Sequence, residues 1–321
     1  MVFFRLKTIV VIFTVIIVLS LFFTFENSTK SKYEEKDLKQ TRTDAKILRW
    51  INKQWIELNH FCEGRNNFLR AVLNSPAGKT PIFVHDLNDD AAVSKQLYDK
   101  GIWDPENVGL VHKYLTSYPD LVFMDLGAHV GTFSLMAAKL GRQVWSVDPL
   151  RGNLFRLCKS IEIGNFTEQV TVFYTALSDT YSVFNFQTDY KNIGGTRLNQ
   201  KIDVTNFSQN GDATGISVIS TVKLDDLLPL VNFKRAFIKM DVEEHEMNVL
   251  VGGQRFLDSV DVPYILMEWF WHKKPSGKFG PSIIDYMTKR NYKPFHPATD
   301  ALLSLNDYHN WPIDVLWKKY S

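Results

Sequence analysis

The chain has 321 residues, 45% of them hydrophobic and 22% charged, with 37 basic side chains against 35 acidic ones. That balance, with no repetitive tract, excludes global disorder, a collagen-like rod and a coiled coil. A net charge of +2 supplies no basic excess of the kind nucleic acid requires.

The N-terminus departs from these averages. Residues 8–25 (TIVVIFTVIIVLSLFFTF) carry no charge and follow Arg5 and Lys7. As a helix they reach about 27 Å, close to a thin bilayer. The run is longer than the apolar core of a signal peptide, and bulky Leu21, Phe22 and Phe23 stand where a cleavage site needs small residues. An uncleaved anchor is therefore expected. The positive-inside rule leaves residues 1–7 in the cytosol, which gives a single-pass type II protein of the Golgi or endoplasmic reticulum membrane with its body in the lumen. Residues 26–44 are polar and read as a stem. Sequons at Asn27, Asn165 and Asn206 suit a lumenal body, with Asn206 in the most loop-like surroundings. Cys62 and Cys158 admit one bridge or, since Cys158 shares helical spacing with Leu154, Leu157 and Ile161, a buried free thiol. Two cysteines alone make no zinc site.

Residues 45–119 form an extension. The spacing of Ile47, Trp50, Ile51, Trp55 and Leu58 predicts helices within residues 47–73, with the tryptophans in the core. A strand at 82–84 and a helix at 91–100 follow. From Asp120 onward apolar strands (121–124, 144–147, 170–174, 236–240, 264–267) alternate with helices (132–140, 154–161 and 246–257, the last with Gly252 and Gly253 inside it). Strands apolar on both faces, separated by helices, predict an α/β fold with a doubly wound, mostly parallel Rossmann-like sheet over residues 120–321, carrying N-terminal helical additions. Residues 292–296 and 315–318 read as a closing antiparallel hairpin. Between them and the sheet's first half lies a polar insertion, 181–221, whose Gly194 and Gly195 suit a lid or a turn.

The densest chemical signal is VFMDLGAHVG (122–131): a strand ending in Asp125, a turn with Gly127 and Gly131, then a helix. Such a turn brings a ligand to the carboxyl end of the sheet. Asp148, ending the next strand, suits a ribose diol. His129 stands where a dinucleotide turn needs glycine, and no phosphate-cradling G-x-x-x-x-G-K-[ST] loop occurs. The acid and turn suit an adenosine cofactor with a cationic amino-acid tail and no pyrophosphate, namely S-adenosylmethionine; the competing role is a tight turn with an unliganded acid.

Five blocks in order resemble the FkbM-like class I methyltransferases: VFMDLGAHVGTFSL (122–135), VWSVDP (144–149) with Asn153 and Leu157 behind it, YTALSD (174–179), TVKLDDLL (221–228) and IKMDVEEHEMNVLVGG (238–253). The resemblance implies cofactor contacts at Asp125, Gly127, Ala128, Gly131 and Asp148, and adenine near Leu177 to Asp179. Glu244 and His245 depart from the small residues usual after D-V-E in that family.

Methyl transfer to a hydroxyl requires removal of its proton, so a base or a metal is expected at the carboxyl end of the sheet. Asp241, Glu243 and His245 alternate after their strand and are the candidate catalytic residues. Asp241 also suits a helix cap, and His245 also suits an exposed helix end. The set is compatible with a divalent metal, which is not expected. Glu268, Trp269 and His272, just beyond the next strand, are candidate acceptor contacts; for the aromatics, ordinary packing is the competing role. The expected function is S-adenosylmethionine-dependent O-methylation of sugar hydroxyls on glycans. The rivals are a non-catalytic lumenal binding protein that keeps the fold, and an O-methyltransferase for a lipid or small metabolite. Membrane attachment and a glycan acceptor are the expected partners, with no nucleic acid; oligomeric state has no sequence signal.

Overall fold

The computed structural model describes residues 44–63, 67–189, 191–202 and 218–320. The expected anchor at 8–25 and the sequons at Asn27 and Asn206 lie outside them. No helix among the described residues is long and apolar enough to cross a membrane.

Strands, not helices, open the described chain. β1 (Lys46–Ile51) and β2 (Gln54–Glu57) pair antiparallel, Ile51 facing Gln54. The two intervening residues, Asn52 and Lys53, both have positive φ (51° and 61°), the geometry of a tight hairpin turn that matches strand twist. Neighbouring Ile47 and Leu48 are both buried because β1 is covered on both faces, so the apolar spacing imitated a helix. β3 (Leu69–Ser75) and β4 (Gly78–Val84) make a second hairpin. The N-terminal additions are thus largely β, followed by α1 (Ser94–Lys100) and α2 (Pro105–Ser117). Helix α2 starts where Asp104 accepts a hydrogen bond from the Asn107 N–H and Pro105 occupies the first turn.

The remaining order is β5 (Leu121–Leu126), α3 (Thr132–Lys139), β6 (Val144–Asp148), α4 (Arg151–Gly164), β7 (Val170–Tyr174), β8 (Ala176–Leu177), β9 (Val183–Asp189), β10 (Asn192–Ile202), β11 (Val218–Val222), β12 (Arg235–Met240), α5 (Glu246–Gly252), α6 (Gln254–Ser259), β13 (Asp261–Glu268), α7 (Gly280–Lys289), β14 (Tyr292–Phe295) and β15 (Asp314–Lys319). The helix expected over 246–257 is therefore two, broken at Gly253.

Among the described residues the main sheet has nine strands in the order β14-β15-β13-β12-β5-β6-β7-β1-β2. The run from β13 to β1 is parallel, while β15 and β2 pair antiparallel at the two sides. The closing hairpin forms as expected, with β15 inserted between β13 and β14. Every residue of β5 is buried: Phe123 joins Phe237 in the core under α1 to α4, and Met124 joins Ile238 in the core under α5 to α7. That double burial explains why the central strands read as continuous apolar runs. Connections leave β5 toward β6 and β7 on one side and return to β12 and β13 on the other, so the topology switches between β5 and β12. Ligands of open α/β sheets bind at such a switch.

Cys62 and Cys158 form a disulfide, with Cα atoms 5.8 Å apart, which ties the segment after β2 to α4. Asn165, the described sequon, is exposed in a left-handed conformation at the end of α4. The described part of the polar insertion is a hairpin, β9 with β10, joined to β11 in a second sheet. Gly194 and Gly195 fall inside β10.

Candidate functional site

A cavity of about 290 Å³ opens at the carboxyl ends of β5, β6 and β12. Gly127, Ala128, Asp148, Asp241, Glu243 and His245 line it, as does Glu268. The β9–β10 hairpin closes one side through Phe186, Ile193 and Gly194, so the polar insertion is part of the wall.

The turn after β5 is built for close approach. Gly127 has φ 89°, and a Cβ there would overlap the carbonyl oxygen of Asp241. The Asp241 N–H donates to Leu126 O at 2.9 Å, and Gly127 and Ala128 donate to Val147 O at 2.9 and 3.0 Å, which locks three strand ends together. Gly131 serves packing: it precedes α3 at φ 94°, does not line the cavity, and a Cβ there would strike the Leu157 side chain.

The two strand-end acids differ. Asp125 is buried behind the wall, where its Oδ2 accepts from the Ser134 N–H (3.0 Å) and hydroxyl (2.6 Å), holding the start of α3. Its Oδ1 is buried without a partner, and burial raises its pKa above the usual carboxylate range. Asp148 lines the cavity. Its Oδ1 accepts from the Leu150 N–H (2.8 Å) and the Asn153 amide (3.0 Å), and its Oδ2 from the His129 N–H (2.8 Å). Burial pushes it up to about 7. Asp179 stands outside the cavity wall, bound by the Asn248 amide at 3.0 Å, whereas Ala176 and Leu177 line it.

At the opposite end carboxylates converge. Asp241, Glu243 and Glu268 each offer an oxygen within 4.8 Å of the others. Asp241 caps no helix; its Oδ2 pairs with Lys239 Nζ at 3.0 Å. Burial would pull the Lys239 ammonium down, but Asp241 and Asp125 beside it hold its pKa above normal. Glu243 Oε2 accepts from the Trp271 indole at 2.8 Å, and burial followed by Asp241 pushes its carboxyl up to about 8. Glu243 and Glu244 both have positive φ (53° and 73°), a strained pair that re-aims the chain between β12 and α5. Glu268 Oε2 is buried with no partner, and burial, then Asp241 and Glu243, raise its pKa well above the usual range. His245 precedes α5 and lies edge-on to Phe184; burial lowers its pKa. It lines the same cavity but stands outside the group of three acids.

Trp269 and His272 do not reach the cavity, which corrects their expected place as acceptor contacts. Trp269 is fully buried, packed on Trp311 and donating its indole N–H to Tyr308 O at 3.0 Å. His272 is buried against Glu246, Nε2 to Oε2 2.8 Å. Both support the wall from behind. Trp271 is no open platform either, since Arg197 and Lys274 lie over its ring at 4.5 and 3.7 Å from its centre.

Four titratable lining residues lie outside the candidates expected from the sequence. Asp314, at the start of β15 opposite Glu268, accepts from the Asn107 amide at 2.9 Å, and burial with Asp241 nearby pushes it up to about 7. Asp104 joins it from the start of α2. Lys239 had a signal, a charge inside the apolar strand IKM. His129 sits within the quoted motif; it stacks on His85 at 5.6 Å, and its Nε2 is buried without a hydrogen bond, 3.7 Å from Asp90. Burial lowers its pKa.

These residues fit an adenosine cofactor with a cationic tail. Asp148 retains acceptor capacity on Oδ2, Leu150 and Leu177 give an apolar wall beside it, and the His129 Nε2 is an unsatisfied polar atom in the same wall.

The family model described as the methyltransferase FkbM domain matches residues 125–294, more than half of the chain. No curated protein matches. Among solved structures, a precorrin-6y C5,15-methyltransferase from Geobacter metallireducens is similar at 12% identity and a TM-score of 0.37, over 70% of this chain and 92% of that one. A putative methyltransferase from Streptococcus mutans, solved in complex with SAH, is similar at 10% identity and a TM-score of 0.39, over 68% of this chain and 99% of that one.

Proposed function

The chain belongs to the FkbM methyltransferase family, and from that premise we propose that it methylates a hydroxyl group of a sugar in a glycan within the secretory pathway. Enzymes of this family depend on S-adenosylmethionine, and the fit of the cavity to an adenosine ligand agrees with that donor. Asp148 would hold the ribose. When bound, the donor supplies an electrophilic methyl carbon.

The observation that carries O-methylation is the convergence of Asp241, Glu243 and Glu268 at the carboxyl ends of β12 and β13. With the donor bound, its methyl group would pass to an acceptor alcohol oxygen at this end of the cavity, and the sulfonium would leave as a neutral thioether. The alcohol's proton must leave during that step, and a carboxylate in this group accepts it. Orientation supplies much of the remaining rate, and the β9–β10 wall helps to hold the acceptor out of bulk water.

Three features support the lumenal setting: the uncharged stretch at 8–25 behind Arg5 and Lys7, the Cys62–Cys158 disulfide, which suits an oxidising compartment, and the exposed sequon at Asn165. Incubation of the full chain with methyl-labelled S-adenosylmethionine and pools of glycoprotein, lipid and small metabolites tests the reading. The expected label is released with glycans by an endoglycosidase and resists mild alkali, as an ether does. Label confined to lipid or metabolite pools would overturn the glycan assignment, and alkali-labile label would overturn the hydroxyl.

A further inference from the structure

We propose that Asp241, Glu243 and Glu268 bind a divalent cation of the hard, oxygen-preferring class, which takes the acceptor hydroxyl as one of its ligands. This rests on the O-methylation reading for its purpose, but the site itself is argued from the side chains alone.

Three oxygens within 4.8 Å of one another can be spanned by one ion with bonds of about 2.0–2.6 Å, the range of magnesium, manganese and calcium. Each acid keeps an oxygen without a hydrogen-bonding partner among the described residues. Asp241 gives Oδ2 to Lys239 and keeps Oδ1; Glu243 gives Oε2 to the Trp271 indole and keeps Oε1. Glu268 makes the independent observation: its Oε2 is buried in this wall with no donor facing it. A buried carboxylate oxygen without a partner is costly, and native proteins leave few of them. Ion-pair chemistry within the protein does not resolve the excess. Asp104, Asp148 and Asp314 line the same cavity, and among its described lining residues Lys239 is the one Lys or Arg. A divalent cation would set two positive charges beside three of those acids.

The ligands also sit on rigid supports. Asp241 and Glu268 lie at the ends of neighbouring parallel strands, Met240 paired with Met267, and Glu243 is held by Trp271, whose ring also contacts Arg197 and Lys274. Three protein oxygens leave coordination positions for water and substrate, the usual arrangement for an ion that works on a bound ligand. An alcohol oxygen on such an ion loses its proton more easily, because the ion stabilises the developing negative charge.

Manganese titrated into the full chain without donor or acceptor, followed by the electron paramagnetic resonance of the free ion, tests the site. One saturable ion per chain is expected. Glu268→Gln should weaken it by about tenfold or more, with the melting temperature of the ion-free chain equal to or above the parent's and the calorimetric binding of S-adenosylmethionine in place. Asp285→Asn, which breaks an exposed pair with Lys289 on α7, should change nothing. No saturable binding at millimolar manganese, or equal binding by Glu268→Gln, would overturn the site. Failure of donor binding would instead count against the methyltransferase reading and leave the metal result standing.

Discussion

Replacing Gly127 by alanine measures how closely the cofactor turn and the carboxylate strand are fitted. Gly127 has φ 89°, where an L side chain is strained by about 1–2 kcal/mol. The new Cβ also collides with the carbonyl oxygen of Asp241, which cannot retreat freely because the Asp241 N–H is bonded to Leu126 O at 2.9 Å. Overpacking of this kind costs about 1–3 kcal/mol, so the variant should lose about 2–5 kcal/mol of unfolding free energy in urea titrations. Relief by moving the end of β12 displaces Asp241 and Glu243 together, and a shift of about 1 Å at a reacting centre lowers turnover by about a hundredfold. Gly141→Ala is the control: it has φ 80° but nothing within 4 Å of its Cβ, so it should show the strain alone, with normal turnover. Equal stability of the two variants, with normal turnover in both, would refute the fitted junction.

Other consequences can be measured on the same protein. Cys62→Ala opens a link between residues 96 apart, and the chain-entropy model gives up to about 4.7 kcal/mol for a loop of that order; non-reducing denaturation should show a loss of about 2–5 kcal/mol, and no loss would contradict a formed bridge. His85 is held down to about 3 by burial, then by Arg156 and His129. Its folded pKa lies below the unfolded value near 6.5, so the stability it contributes is present above that value and declines as pH falls toward 3, by up to about 1.4 kcal/mol per unit. His85→Gln should therefore flatten the acid limb of the stability profile, and an unchanged slope would count against its burial as the neutral form. Asp148 has the opposite sign: its folded pKa of about 7 lies above the unfolded one, so its contribution is fully present below about 3.9 and lost as pH rises through 7. The stability of the parent relative to Asp148→Asn should therefore fall as pH rises from 5 to 8, and the variant should bind S-adenosylmethionine about 10- to 100-fold more weakly at pH 8, as loss of hydrogen bonds to a charged group implies. A variant with parental cofactor affinity would remove Asp148 from the cofactor site.

Much of the central sheet was legible because its strands are buried on both faces. LVFMDL and VWSVD have no polar face to confuse their reading, and each runs into a helix with its own apolar stripe. The N-terminal hairpins were illegible for the converse reason: Trp50, Ile51 and Trp55 are only partly covered, and their spacing across a two-residue turn coincides with helical spacing. Helix α2 carries a local signal of its own, Asp104 followed by Pro105 and Glu106. Within the site, residues adjacent to a strand end (Asp148, Asp241, Glu243) follow from local pattern, since a parallel sheet exposes those ends to ligand. Asp314 does not, because β15 reaches Glu268 only through the antiparallel insertion between β13 and β14. The aromatic run after Glu268 misled because chemistry at a strand end and packing behind it use the same residue types. Trp269 points into the core and Glu268 into the cavity, an alternation that the sequence contains but does not orient.

The most direct test of the account is methyl transfer itself: labelled S-adenosylmethionine, a released-glycan acceptor pool and the full chain, compared with Glu243→Gln, with cofactor affinity measured calorimetrically in parallel. The account predicts that the parent adds one methyl group to a glycan hydroxyl, and that Glu243→Gln keeps its cofactor affinity but transfers at least about a hundredfold more slowly. A parent that binds the cofactor but methylates no hydroxyl, or a variant that transfers at the parental rate, would contradict it.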